Sequence, residues 1–503
     1  MNPHDAYERL TVKSKETSYL DSAIKVLHWD QSTYIPAKGH GHRAGQLSAL
    51  AKMKHKMTTD PLIGEWLGIV EGSELTEDPL SVEAVNIREW RRLFDRAVKI
   101  PESLAMNLAR AAAEAQPAWK EARCRNDWSM FKPHLAGMIS LKREQAEALG
   151  YSHEPYDALL DLYERGETAG RLQTVFARVR PALTDLLQRI QGSSRRPDPS
   201  IVRGPFPIAD QEAFATKVAG KLGYDFDGGR LDVSAHPFTQ GVGPGDVRIT
   251  TRYHEHSFNE AFFAVVHEAG HAMYHQGLPL EHWGTPMCAP VSLGVNESQS
   301  RMWENLVAAS LPFWKHFYPR AQRRFASLRG VPLEDFYFSI NEVQPSLIRV
   351  EADEVTYNLH VLLRFEIEVM LTRGDLEVDD LPDAWNDKMR AYLGVTPRDY
   401  ATGVLQDVHW SAGAVGYFPT YTLGNMNAAQ FFNQASQDLG NMDALIEKGE
   451  FADLLRWLRE KIHSQGSRYK PRDLVRTVTN EDMTPDYLIE YLTRKYGDLY
   501  RLR

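Results

Sequence analysis

Apolar residues recur at three- and four-residue steps along most of this chain, the spacing that turns one stripe of a helix toward a core. The segments "PESLAMNLARAAAEAQPAWKEARCRN" and "KPHLAGMISLKREQAEALG" show it between Pro starts and Gly stops. "AGRLQTVFARVRPALTDLLQRIQG", "VEADEVTYNLHVLLRFEIEVMLTRG" and "EFADLLRWLREKIHSQG" repeat it. The predicted fold class is mainly α. Only "RLDVSAHPF" and "DVRITTRYH" alternate in the manner of strands. The glycine-rich "TQGVGPG" between them predicts a hairpin-like pair leading into the next helix. The Pro-, Gly- and Ser-rich stretch Gln191–Pro207 reads as a surface crossover, because composition does not change across it. We therefore expect residues 1–503 to form one large domain.

Composition narrows the class of protein. The 503 residues are 43% hydrophobic and 25% charged, as in ordinary globular chains, and the formal charge of −9 argues against general affinity for nucleic acid or anionic membranes. Two cysteines far apart, Cys124 and Cys288, form no disulfide framework. The start has no basic segment leading into an apolar one, and no apolar run approaches the roughly 20 residues that span a bilayer. A cytoplasmic location is the expectation.

One helical stretch carries groups that are costly to bury. "FFAVVHEAGHAMYHQG", Phe262 to Gly277, places two histidines and a glutamate inside an apolar run. Ser257 and Glu260 form a capping box at its start, and Gly277 and Pro279 end it. His267 and His271, four apart, project from one face one turn apart and can hold one metal ion. Glu268 is offset enough to reach a water on that ion. A divalent metal would resolve the cost of burying the carboxylate.

A catalytic site needs a third protein ligand. Tyr274 and Gly277 stand where the extended metzincin pattern requires Gly and His, which excludes that class. His275 lies about two turns from His267, too far along the axis to share the ion comfortably. A glutamate from the following helix is the other source: Glu297 at its head, or Glu304 two turns on.

These residues match a known family. The chain resembles the Taq-type zinc metallocarboxypeptidases nearly end to end. It carries in order "HPF" (His236–Phe238), "DVRIT" (Asp246–Thr250), "HEAGH", "ESQ" (Glu297–Gln299), "IRVEAD" (Ile348–Asp353) and "GVLQDVHW" (Gly403–Trp410). The resemblance implies a large helical zincin-type, neurolysin-like fold with a deep groove and a small sheet beside the metal helix. It also implies a homodimer, and removal of C-terminal residues from peptide substrates. Carried over by position, the metal ligands are His267, His271 and Glu297, and Glu268 is the general base. Two His and one Glu suit Zn²⁺, with Co²⁺ or Mn²⁺ as alternatives. The family usually has His where this chain has Asn296, which touches metal affinity and pH response rather than the ligand set.

Peptide hydrolysis also needs oxyanion donors and a receptor for the terminal carboxylate. "HWSAGAVGYFPTYTLG" offers His409, Tyr417 and Tyr421 as donors; the resemblance favours His409, and of the tyrosines Tyr421 is taken as the catalytic one and Tyr417 as substrate-binding. Arg349, expected on a helix among apolar neighbours, suits the carboxylate, or else an ion pair with Glu351, Asp353 or Glu354. Arg248 is the second candidate, with Asp246 beside it, and His236 ends a strand near the site. Two other functions fit the same residues: an oligopeptidase cutting short peptides internally, and a helical peptide-binding protein without catalysis.

Overall fold

The computed structural model describes residues 1–502. Helices dominate, and three short strands form the only sheet among the described residues. The predicted helices are present with shifted ends. The first runs over Glu102–Arg125 and stops at Asn126, which adopts the left-handed conformation. The next begins at Trp128, because Asp127 accepts the Ser129 N–H as a cap, so Pro133 sits inside it rather than at its start. Ala169–Gly192, Glu354–Arg373 and Ala452–Lys461 account for the remaining three.

The strands differ from the expected hairpin. β1 (Leu231–Val233) and β3 (Asp246–Thr251) pair in parallel, not antiparallel. Part of the presumed loop is itself a strand, β2 (Thr239–Gly243), which returns antiparallel along β3 through the tight turn at Gly245. The sheet order is β1-β3-β2. Alternation of β-branched residues marks strands but does not say which neighbour each one finds. β2 lies against the helix Phe258–Gln276, the one with the paired histidines, and brings Thr239 to it.

Apolar side chains gather in two clusters. The small one joins Ala6 and Leu10 of the first helix to Leu67, Val70, Ile87 and Trp90. The large one holds most of the core and includes the inner face of the histidine helix: Phe262, Val265, Val266, Ala269, Ala272 and Met273. By contrast, helix His40–Thr58 buries no residue at all. The Gln191–Pro207 crossover is pinned by Phe206, which is fully buried and donates its N–H to Glu255 O at 2.7 Å. Among the described residues no helix is long and apolar enough to cross a membrane.

Candidate metal centre and active site

Ser257 starts the histidine helix by accepting the Glu260 N–H, at 3.4 Å. Only half of the capping box forms, because the Glu260 carboxylate turns to Arg252. One turn apart, the rings of His267 and His271 stand 4.8 Å from each other. The second helix of the site, Leu293–Arg301, is capped by Ser292 and runs directly into a π-helical turn, Met302–Ala308. Such turns recur at functional sites because they re-aim side chains. Glu297 projects from this helix toward both histidines.

The three side chains converge. Glu297 Oε2 lies 3.7 Å from His267 Nε2 and 3.3 Å from His271 Nε2. One ligand atom from each can be chosen so that all lie within 4.8 Å of one another, the cluster among the described residues suited to an ion. The other ring nitrogens face outward onto acceptors: His267 Nδ1 to Glu304 Oε2 at 2.7 Å, His271 Nδ1 to Asn296 Oδ1 at 3.1 Å. A proton on each Nδ1 leaves both Nε2 lone pairs facing inward. Glu297 is held likewise. Its Oε1 accepts from Arg301 Nε at 2.8 Å, and Ser300 Oγ donates to Oε2 at 3.1 Å. Two imidazoles and one carboxylate oxygen fit a divalent ion in a three-ligand, open site. Glu304, the alternative third ligand, instead orients His267 and is itself tied to Arg301 at 3.0 Å.

Electrostatics agree with that fit. Burial opposes charge on His267, but Glu297 and Glu304 outweigh it and raise its pKa to about 9. Burial likewise works against ionised Glu297, and Arg301 with His267 overcomes it, holding this carboxyl far below its usual range. The two carboxylates therefore favour positive charge at this corner, whether a proton on His267 or a cation between the rings.

Glu268, next to His267 on the helix, is buried, and Thr239 Oγ1 donates to its Oε2 at 2.6 Å. Thr239 lies in the stretch read as loop, so nothing in the sequence marked it. His275 makes no hydrogen bond among the described residues; it packs on Gly241, where a Cβ would come 3.0 Å from its Nδ1. His236 lies exposed in the turn after β1. Arg248 pairs through both Nε and Nη2 with Asp246, at 2.7 Å each, and stacks over Trp29.

Arg349 departs from expectation in two ways. It sits in a single 3₁₀ turn, Arg349–Glu351, ahead of the long helix. Its partner is neither Glu351, Asp353 nor Glu354 but Asp407, 58 residues away, which accepts from Nε at 3.0 Å and Nη2 at 2.9 Å. Asp407 also takes Arg364 Nε at 2.7 Å. One buried carboxylate thus stands between two buried guanidiniums. Gln406, the neighbour of Asp407 in "GVLQDVHW", joins the group: its Oε1 also accepts from Arg349 N and Arg364 Nη2. Tyr357 joins this group to the metal corner. Its hydroxyl accepts from Arg349 Nη1 at 3.0 Å, and Arg301 lies 4.5 Å above its ring.

His409 and Tyr421 meet, Nε2 to OH at 3.2 Å. The Tyr417 ring lies 5.5 Å from His409 and 5.4 Å from Tyr421. Burial pushes His409 down to about 4, against the pull of Asp407, so it is neutral at pH 7. Burial raises Tyr421 well above the usual phenol value and Tyr417 to about 12, which keeps both hydroxyls protonated. Tyr421 begins a helix, Pro419–Leu439, that crosses the Glu297 helix closely at Gly424. A Cβ at 424 would stand 2.5 Å from Glu297 Cγ.

Comparison with known proteins agrees with this geometry. Residues 9–496 match the family described as carboxypeptidase Taq (M32) metallopeptidase. A thermostable carboxypeptidase 1 of Thermus thermophilus is 54% identical, over 99% of this chain and 100% of its own. Carboxypeptidase 1 of Bacillus subtilis is 39% identical, over 97% of each. The crystal structure of an M32 carboxypeptidase from Deinococcus radiodurans R1 superposes with a TM-score of 0.96 at 36% identity, covering 99% of this chain and 100% of that one. With a whole-length match and a site of the corresponding chemistry, this chain belongs to the carboxypeptidase Taq (M32) family of metallopeptidases.

Proposed function

We propose that the chain is a metal-dependent carboxypeptidase that hydrolyses the last peptide bond of peptides. The observation that carries this reading is the convergence of His267 Nε2, His271 Nε2 and Glu297 Oε2, each locked from behind. A divalent ion held there, Zn²⁺ before Co²⁺ or Mn²⁺, supplies Lewis-acid polarisation and acidifies water. Glu268, steadied by Thr239, accepts the proton of the attacking water and returns it to the leaving nitrogen. His409 Nε2–H donates to the Tyr421 hydroxyl, and the Tyr421 O–H, kept protonated and oriented by that bond, hydrogen-bonds the developing oxyanion.

Arg349 receives the terminal carboxylate. It keeps N–H groups beyond those given to Asp407 and Tyr357, and the Arg349–Asp407–Arg364 group carries one positive charge more than its carboxylate compensates. His236, Arg248 and Tyr417 line the substrate path in this proposal. Ring contacts with His409 and Tyr421 support Tyr417, whereas His236 and Arg248 rest on their motifs. Peptides, not nucleic acid or membranes, are the partners. One domain, a homodimer and a cytoplasmic location complete the reading, and sedimentation velocity tests the dimer.

The decisive experiment pairs a free peptide with its C-terminally amidated twin, followed by mass. The free peptide should lose single residues and the twin should resist, with a chelator abolishing turnover. Glu268→Gln should lower kcat by about 10²–10⁴ at unchanged metal content. Equal cleavage of both twins at internal bonds would establish an oligopeptidase instead. A metal-loaded protein that cleaves neither would be a peptide binder.

A further inference from the structure

Helix Val82–Lys99 carries Arg88, Arg92 and Arg96 at four-residue steps, which sets them along one face. The buried Glu89 accepts from Arg88 Nε at 3.0 Å, from Arg92 Nε at 2.9 Å and from Arg165 Nη1. One carboxylate therefore serves three guanidiniums. Arg88 gives further N–H groups to Ser467 O and Arg468 O, whereas Arg92 and Arg165 have no other hydrogen-bond partner among the described residues. Arg96, one turn on, is half-buried and makes no hydrogen bond or ion pair among the described residues. Asp161 is the nearby acid, but its Oδ1 accepts the Gly166 N–H at 2.8 Å instead of pairing with Arg96. Burial, then the charge of Arg92, pushes the Arg96 pKa down. Positive charge is left over here in a chain whose net charge is −9.

The location gives this surplus a meaning. Arg165 follows Tyr163 and Glu164 in a turn that holds the head of the Glu297 helix. Leu293 N–H reaches Tyr163 O at 3.3 Å and Gly294 N–H reaches Glu164 Oε2 at 2.9 Å. The Tyr163 ring packs edge-on against Tyr417, 5.2 Å away, and its hydroxyl also feels the Arg96 charge. One layer of side chains thus separates the arginines from the aromatic wall of the active site. Partly dehydrated guanidiniums with unused N–H groups match a carboxylate in charge and in planar shape.

We propose that Arg96, together with the unused N–H groups of Arg92 and Arg165, forms a subsite for an acidic side chain of the peptide, upstream of the residue removed. This rests on the carboxypeptidase reading, since it assigns the substrate's direction: Arg349 takes the terminal carboxylate, and the preceding residues extend past Tyr417 toward Arg96.

The test uses peptides identical except for Glu or Gln at the third, fourth or fifth residue from the C-terminus. At low salt, wild type should favour Glu over Gln in kcat/KM by about 5–20-fold at one of these positions, and 0.5 M salt should shrink the ratio. Arg96→Gln should bring that ratio to near 1, and Arg96→Lys, which keeps the charge but not the fork, should lie between. A ratio near 1 at all three positions in wild type, or one unchanged in Arg96→Gln, overturns the subsite. Turnover of the Gln peptides shows separately that the carboxypeptidase reading holds. If neither peptide is cut, that reading fails. Calorimetric titration of the same peptides into Glu268→Gln protein then decides the subsite by the same ratios.

Discussion

The two charged corners of the active site obey one rule in opposite directions. At the metal corner two carboxylates, Glu297 and Glu304, share a single guanidinium, Arg301, which leaves a negative excess facing two imidazoles. At the other corner two guanidiniums, Arg349 and Arg364, share a single carboxylate, Asp407, which leaves a positive excess. Buried charge is costly unless it is matched, so each excess favours a charge of opposite sign beside it. The first favours a cation and the second an anion. Tyr357 touches both, its hydroxyl on Arg349 and its ring beneath Arg301.

Changing the number of charges should change these corners unequally. Asp407→Asn leaves two guanidiniums confronting each other without a counter-ion and should cost about 3–5 kcal/mol in urea unfolding. A loss under about 1 kcal/mol would break the comparison. Glu368 provides a carboxylate without a guanidinium. It is fully buried and accepts from Trp410 Nε1 at 2.9 Å, Tyr156 OH at 2.8 Å and Gly416 N at 3.0 Å. Burial raises its pKa to about 7, whereas Asp407, next to two arginines, is held far below the usual range. The folded chain thus holds the Glu368 proton more tightly than the unfolded chain does. Wild type should lose stability relative to Glu368→Gln as pH climbs from about 4.5 to 7, by up to about 3 kcal/mol, with no further change above. Unfolding midpoints at three pH values test this, and a pH-independent gap refutes it. The smallest effect belongs to Glu304→Gln, which removes the negative excess behind His267 while keeping a hydrogen-bond acceptor. It should weaken metal binding by about 10–100-fold in chelator competition.

The metal corner was legible in the sequence because its geometry is local. Two histidines four apart on a capped helix must share a face, and Glu297 heads the next helix. The choice between Glu297 and Glu304 was not local; it follows from how the two helices cross, which puts Glu297 on both Nε2 atoms and Glu304 on one Nδ1. Resemblance favoured Glu297, and spacing did not separate the two. Asp407 and Thr239 lay out of reach for the same reason. They meet Arg349 and Glu268 only after the chain has returned across 58 and 29 residues. The sheet shows the limit most clearly: alternation located β1 and β3, while the parallel pairing and the strand within the glycine-rich stretch come from packing on the histidine helix.

Gly424 sets a clearance. Glu297 keeps its place opposite the two histidines only because the backbone facing it is bare, and a single methyl there would intrude to 2.5 Å of Glu297 Cγ. Such a methyl would act as a shim, prising the two helices apart by a fraction of an ångström. The reach of Glu297 toward both histidines would then lengthen while all three side chains stay as they are.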